Sequence, residues 1–274
     1  MFQEEISRSS QVFFISQSER KNARFQRYME DAHTIIPRLG GNDDTFFAAV
    51  YDGHGGRETA DYVSNHLHLN LLKAMEAEAL TTMEKRLEYA FFLTDMESKN
   101  EDMRNSGCTG VCVIILNEDG KRMLYSANAG DSRSVLYTNG TTIRLSFDHK
   151  ATDPDEEKRV ISLGGFVMKQ RVLGILAISR SFGDHSCKQY ITAEPYVRSM
   201  ELTKDSEFLV LACDGVFDVL SDEDVTRIVK EEVANGNIDN CAEKLIQESV
   251  DRGSTDNITA VVIGLKPTSE WAAV

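Results

Sequence analysis

Short β-rich runs and amphipathic stretches follow one another in an order that predicts a segregated architecture. Residues 111–116 and 122–127 are apolar runs joined by Asn117-Glu118-Asp119-Gly120, a hairpin whose turn ends in Asp-Gly. Residues 133–138 and 141–145 flank Asn139-Gly140, a second hairpin with the strongest short-range turn signal. Residues 208–212 and 258–265 read as buried strands. Ala60, Val63, Leu67, Leu71 and Ala74 keep a 3.6-residue period, predicting a helix over residues 57–79. Thr81 with Glu84 forms a capping box ahead of Leu87, Ala90 and Phe91. Asp153-Pro154 opens a short helix that Gly164-Gly165 closes. Val225, Ile228, Val229 and Val233 mark another helix, and Leu245, Ile246 and Val250 the last. Strands and helices come in separate groups, so the pattern predicts α+β and not alternating βαβ units. Antiparallel sheets packed on each other, with helix pairs outside, would bury these faces. No internal repeat or low-complexity linker interrupts the chain, and the expectation is a single domain over residues 1–274.

Composition changes this picture mainly through charge. The 274 residues, 41% hydrophobic and 27% charged, are ordinary globular material with ample chain for a core. Lys and Arg number 30 against 44 Asp and Glu, a formal net charge of −14. Such a surface repels nucleic acid and anionic membranes, and no Lys/Arg cluster with interleaved aromatics offsets it. No apolar run approaches the ~18 residues of a membrane span. Neither nucleic acid nor membrane is an expected partner. Five cysteines without CxxC spacing read as reduced thiols, and Met1-Phe2-Gln3-Glu4-Glu5 carries no signal-sequence pattern. The expectation is a cytoplasmic or nuclear protein. A solvated surface accounts for most of the acidity, and a metal site for part of it.

The candidate chemistry lies where acidic residues meet strand ends. Glu30-Asp31 follows Arg27-Tyr28-Met29, and Asp52 follows the apolar run Phe46-Phe47-Ala48-Ala49-Val50. Asp131 stands between two strands, Asp214 ends the run that includes Leu211-Ala212-Cys213, with Asp218 four residues on, and Asp256 opens the last strand. Singly, each is a turn residue or a helix cap. A turn needs no carboxylate at every strand end, however, and like charges gathered at one sheet edge repel unless a cation neutralises them. Carboxylates with few histidines suit hard octahedral ions, Mg²⁺ or Mn²⁺, more than zinc. Two such ions could clamp a phosphoryl group and activate a water. The glycine after Asp52 would also let a backbone carbonyl reach a metal.

Ordered motifs then carry a resemblance over nearly the full chain. They are Met29-Glu30-Asp31-Ala32-His33, Asp52-Gly53-His54-Gly55-Gly56, Ser106-Gly107-Cys108-Thr109 and Asn128-Ala129-Gly130-Asp131-Ser132-Arg133. They continue with Asp148-His149-Lys150, Arg171-Val172-Leu173-Gly174, Ser179-Arg180-Ser181-Phe182-Gly183-Asp184, Asp214-Gly215-Val216-Phe217-Asp218 and Asp256-Asn257-Ile258-Thr259. The chain resembles the metal-dependent protein phosphatases of the 2C family. The resemblance implies an α-β-β-α sandwich with a metal cleft at one end of two sheets, and hydrolysis of phosphoserine and phosphothreonine in protein substrates. It implies two Mg²⁺ or Mn²⁺ ions bridged by Asp52, with Gly53 offering its carbonyl and Asp214 and Asp256 holding one ion. Glu30 would act through a metal-bound water, and Asp131 and Asp218, with Asp214, match a weaker third-metal site. His54 would be the general acid for the leaving oxygen and metal-bound water the nucleophile, with no phosphoenzyme. Thr109 matches a residue beside the third metal, Arg171 a supporting residue of the cleft, and Asn257 a support for the turn presenting Asp256. By analogy the protein is a monomer.

One position departs from the family pattern. The phosphate-binding arginine expected three residues before Met29 is Gln26, while Arg27 is one residue late and Arg24 two early. On an extended strand Arg24 would share Gln26's face, and a bulge could re-aim Arg27. Either is the candidate for the substrate phosphate. Three readings follow: an active phosphatase, a catalytically weak or inactive pseudophosphatase that docks partners, and a hydrolase of a small phosphorylated metabolite.

Overall fold

A computed structural model describes residues 9–100, 103 and 105–271. Two antiparallel sheets lie face to face. One runs in the order β1-β13-β12-β6-β7, formed by Phe14–Arg20, Ile258–Gly264, Ser206–Ala212, Arg133–Thr138 and Thr141–Arg144. The other runs β11-β5-β4-β3-β2, formed by Tyr196–Glu201, Lys121–Ala129, Gly107–Glu118, Thr45–His54 and Ala32–Ile36, with the short β10 (Phe182–Gly183) added on β4. Helices α1 (Glu58–Glu76) and α2 (Met83–Glu97) cover the second sheet. Helices α5 (Asp222–Ala234) and α6 (Cys241–Asp251), which follow the single turn α4 (Asp214–Phe217), cover the first. The α-β-β-α order read from the sequence is the observed one.

The central strands carry continuous apolar runs because both faces are buried. On β3, Phe46, Ala48 and Val50 point between the sheets, while Phe47, Ala49 and Tyr51 point to α1 and α2. On β12, Leu209 and Leu211 enter the inter-sheet core, and Phe208, Val210 and Ala212 meet α5 and α6. The period-2 geometry of a strand thus feeds two cores from one run.

Local signals mostly hold, with small shifts. The two hairpins form as read, and Asp153 caps α3 (Pro154–Ser162) by accepting from the Asp155 and Glu156 N–H groups. Helix α2 starts one residue later than the capping box predicts. Thr82, not Thr81, accepts the Lys85 N–H. The segment carrying Gln26 is not a strand. Asn22, at φ 56°, starts a tight turn in which Phe25 and Gln26 N–H both donate to its carbonyl, so the strand-face reasoning about Arg24 and Arg27 does not apply. All five cysteines are buried and unpaired. Among the described residues no helix is long and apolar enough to cross a membrane.

A small satellite packs beside the sandwich. The hairpin of β8 (Val167–Met168) and β9 (Arg171–Val172) rests on α3 through Val160, Val172, Cys187 and Ile191. Residues 175–178 lead from it back along the cleft described next.

Candidate metal centre

Strand topology gathers the acids. β2 begins opposite the end of β3, with Ala32 paired to Tyr51, and β13 begins opposite the end of β12, with Ala260 paired to Ala212. Glu30, Asp52, Asp214 and Asp256 therefore sit at one end of the sandwich. Asp131 lies there too, where the chain crosses from β5 to β6, whose Arg133 pairs with Ala212. Two glycines permit the final approach. A Cβ on Gly53 would lie 2.3 Å from the Glu30 carbonyl oxygen, and one on Gly215 only 2.0 Å from that of Asn257. Any other residue would push the loops of Glu30 and Asp256 away from Asp52 and Asp214. The glycine after each aspartate thus has a packing reason that the sequence alone did not disclose.

The result is a dense anionic site. Asp52, Asp131 and Asp214 offer carboxylate oxygens that all lie within 4.8 Å of one another. With Glu30, Gly53, His54, Thr109, Arg171 and Asp256 they line a cleft of about 640 Å³. Burial pushes the Asp52 and Asp214 carboxyls well above the usual carboxylate range. Neighbouring acids push them further: chiefly Asp214 in the case of Asp52, and Asp131 and Asp256 in that of Asp214. Burial also raises Asp131, against a counter-pull from the Lys150 ammonium. Two unit charges at such a separation repel by roughly 3 kcal/mol at an effective dielectric of ~20. Asp214 Oδ1 is buried without a hydrogen-bond partner among the described residues. An all-oxygen donor set with an orphaned carboxylate oxygen fits a hard divalent cation.

The remaining predicted residues fall into distinct places. Asn257 is a hub: its Nδ2 donates to the Lys21 and Tyr28 carbonyls, at 2.9 and 3.0 Å, and its Oδ1 accepts the Glu30 N–H at 2.7 Å. It holds the Glu30 loop as well as the Asp256 turn. Glu30 Oε1 in turn accepts the Gly56 N–H at 2.6 Å. Thr109 pairs with Asp52 across β3 and β4, and its hydroxyl meets Ser132 at 2.6 Å. Asp218 stands at the edge, where Lys150 Nζ bridges it, at 3.2 Å, to Asp131 at 3.6 Å. Gln26 does line the cleft, but its Nε2 donates to Asp256 Oδ1 at 2.9 Å and to the Thr255 carbonyl at 3.1 Å. Arg24 and Arg27 do not line it. Both are exposed, and each guanidinium lies over the next ring in sequence, Phe25 at 5.3 Å and Tyr28 at 5.2 Å.

Two residues at the site lie in the motifs read from the sequence but were given no role there. Asp184 is buried with its oxygens 2.8 and 3.0 Å from His54 Nε2, and the Ser181 hydroxyl donates to it at 2.5 Å. Sequence separation hides that pair, since the partners are 130 residues apart. Asp31 is buried under the acids, held at Oδ2 by the Thr259 hydroxyl at 2.7 Å, with Oδ1 unpartnered among the described residues. Burial outweighs its hydrogen bonds and pushes it up to about 7.

Comparison with known proteins bears directly on this site. The family model described as protein phosphatase 2C matches residues 16–258, which span every site residue expected from the sequence. The chain belongs to the protein phosphatase 2C family. It is similar to protein phosphatase 2C homolog 1 of Saccharomyces cerevisiae, with 37% identity over 267 residues, 93% of this chain and 94% of the relative. The protein of the same name from Schizosaccharomyces pombe is 37% identical over 253 residues, 90% of this chain and 72% of the relative. In fold it is similar to the solved serine-threonine phosphatase 2C of Toxoplasma gondii, at TM-score 0.81 and 21% identity, covering 93% of this chain and 95% of that one. Membership makes it a metal-dependent protein serine/threonine phosphatase, with phosphoproteins as its substrates.

Proposed function

We propose that the acidic cleft hydrolyses phosphoserine and phosphothreonine esters of proteins with two Mg²⁺ or Mn²⁺ ions, and a third held more weakly. The observation that carries this reading is the trio of carboxylates within 4.8 Å of one another, with the orphaned Asp214 oxygen among them. Asp52, Asp214, Asp256 and the Gly53 carbonyl would hold the two ions, with Glu30 beside them, and Asp131 and Asp218, with Asp214, would hold the third. Bound cations of this kind polarise phosphoryl oxygens and make water nucleophilic at neutral pH. The chain's own residues do the rest. Asn257 and Gly56 fix Glu30, Gln26 fixes Asp256, and Asp184 holds the His54 ring at Nε2. That leaves His54 Nδ1 as the atom that protonates the departing serine or threonine oxygen. Asp184 acts through His54 and is a positioning residue.

Gln26 favours a second reading, a docking protein that binds phosphoproteins without turnover, because its amide is committed to Asp256. One assay separates the two: phosphate release from a phosphothreonine peptide with Mn²⁺, with Mg²⁺ and with EDTA, beside Asp214→Ala. The phosphatase reading expects release that requires metal and disappears in the variant. His54→Gln should lower kcat by about 10²–10⁴-fold on the same peptide. Cation binding without release in any condition would leave the docking reading standing instead.

A further inference from the structure

Beyond the cations that its carboxylates would hold, this cleft offers a substrate phosphate few positive side chains, and the arginines expected from the sequence are elsewhere. Gln26 is neutral and engaged with Asp256, while Arg24 and Arg27 lie over Phe25 and Tyr28. Among the described residues that line the cleft, Arg171 carries the only guanidinium or ammonium group. It is exposed and begins β9 in the small hairpin beside the sandwich. Its only side-chain hydrogen bond among the described residues runs from Nη1 to the Ile175 carbonyl, at 2.7 Å. That bond braces the side chain against a neighbour that also lines the cleft, and leaves the rest of the planar fork for an anion.

The hairpin presents this arginine at a backbone cost. Its two turn residues, Lys169 and Gln170, both have positive φ, 51° and 62°, as a two-residue turn between right-twisted strands requires. Neither is the asparagine or glycine such a turn favours, and Leu173, at φ 54°, adds a third non-glycine residue in the left-handed region. Strained backbone that persists near a site is held by its surroundings. Here Val172 is buried in the satellite core and bridges to Leu176, which lines the cleft.

We propose that Arg171 binds the phosphoryl group of the substrate, supplying from the hairpin the charge that position 26 does not supply. The inference rests on the phosphatase reading for the identity of the ligand, a phosphorylated serine or threonine side chain. Phosphate affinity in this protein then depends on the packing of a hairpin outside the two sheets.

The test uses the purified full chain in Mn²⁺, as wild type, Arg171→Gln and Arg171→Lys. Binding of a neutral peptide carrying a non-hydrolysable phosphonate analogue of phosphothreonine is measured by fluorescence anisotropy, beside the same peptide with plain threonine. Phosphate release from the phosphothreonine peptide is followed in parallel. Arg171→Gln should weaken phosphonate binding roughly tenfold or more, the worth of a charge-assisted contact, and raise KM more than it lowers kcat. The plain peptide should bind as before, and Arg171→Lys should fall between. Unchanged phosphonate binding in Arg171→Gln, or equal losses for both peptides, overturns the role of Arg171. If wild type releases no phosphate yet Arg171→Gln still loses phosphonate binding selectively, the phosphatase reading falls and the anion site stands.

Discussion

Two clusters around buried carboxylates in this protein behave in opposite ways. At the root of the β8–β9 hairpin, Glu156 is met by Arg180 at 2.6 Å, Arg159 at 3.0 Å and the Ser179 hydroxyl at 2.6 Å. Burial alone would raise it, but the hydrogen bonds from Arg180 and Ser179 hold it down to about 2. In the cleft, Asp52 and Asp214 have burial and other carboxylates as their leading influences, and both are pushed up. The first cluster brings its own cations and is complete. The second is arranged for cations the chain does not contain. Burial of a carboxylate therefore says little by itself; its partners say whether it serves the fold or waits for a ligand.

The comparison breaks most visibly through mutation. Glu156→Gln strands two guanidinium groups in a half-buried site and should destabilise the protein by about 3 kcal/mol, seen as a lower Tm with or without metal. Asp214→Asn should do the reverse in EDTA, raising Tm by relieving roughly 1–2 kcal/mol of like-charge repulsion after solvent screening. With Mn²⁺ present that variant should instead fall below wild type, because it forfeits the stabilisation that ligand binding gives the folded state.

The pH dependence sharpens the contrast. His149 is buried, and burial lowers it from 6.5 to about 4, so the fold favours its neutral form. Its contribution is complete above 6.5 and is lost as pH falls from there towards 4. Asp31 has the opposite sign. Its folded value of about 7 exceeds the usual 3.8, so the fold keeps a proton that the unfolded chain has released, and stability declines as pH rises through that window. Denaturation midpoints in EDTA at pH 4 to 8 should show the acid limb flattened by His149→Gln and the falling limb flattened by Asp31→Asn. A smaller effect concerns Gln26. Gln26→Ala removes one of the two hydrogen bonds to Asp256 Oδ1, leaving that from the Asn257 N–H, and should weaken Mn²⁺ affinity roughly tenfold without lowering Tm in EDTA.

Much of this was legible in the sequence, for local reasons. Asn139-Gly140, Asp153-Pro154 and the two-faced apolar runs of β3 and β12 each fix their own backbone with residues a few positions apart. The acids at strand ends were legible as a set because four antiparallel strands must bring their ends together. What stayed hidden depends on contacts across the chain. The pairing of His54 with Asp184, the hub at Asn257 and the engagement of Gln26 with Asp256 each join residues more than 100 positions apart. The faces of Arg24 and Arg27 were misjudged because Asn22 turns the chain where a strand was assumed, and that turn is pinned by its side chain to the Ser254 carbonyl at 2.7 Å. Strand β11 went unread because its exposed edge position leaves no apolar alternation to find.

The central claim is that the cleft's carboxylates form a cation site, and calorimetric titration of Mn²⁺ into metal-free protein at neutral pH tests it most directly. The account predicts saturable binding to wild type, its loss or sharp weakening in Asp214→Asn, and binding unchanged in Glu156→Gln while that variant stays folded. Binding that survives Asp214→Asn intact, or no binding to wild type, would contradict it.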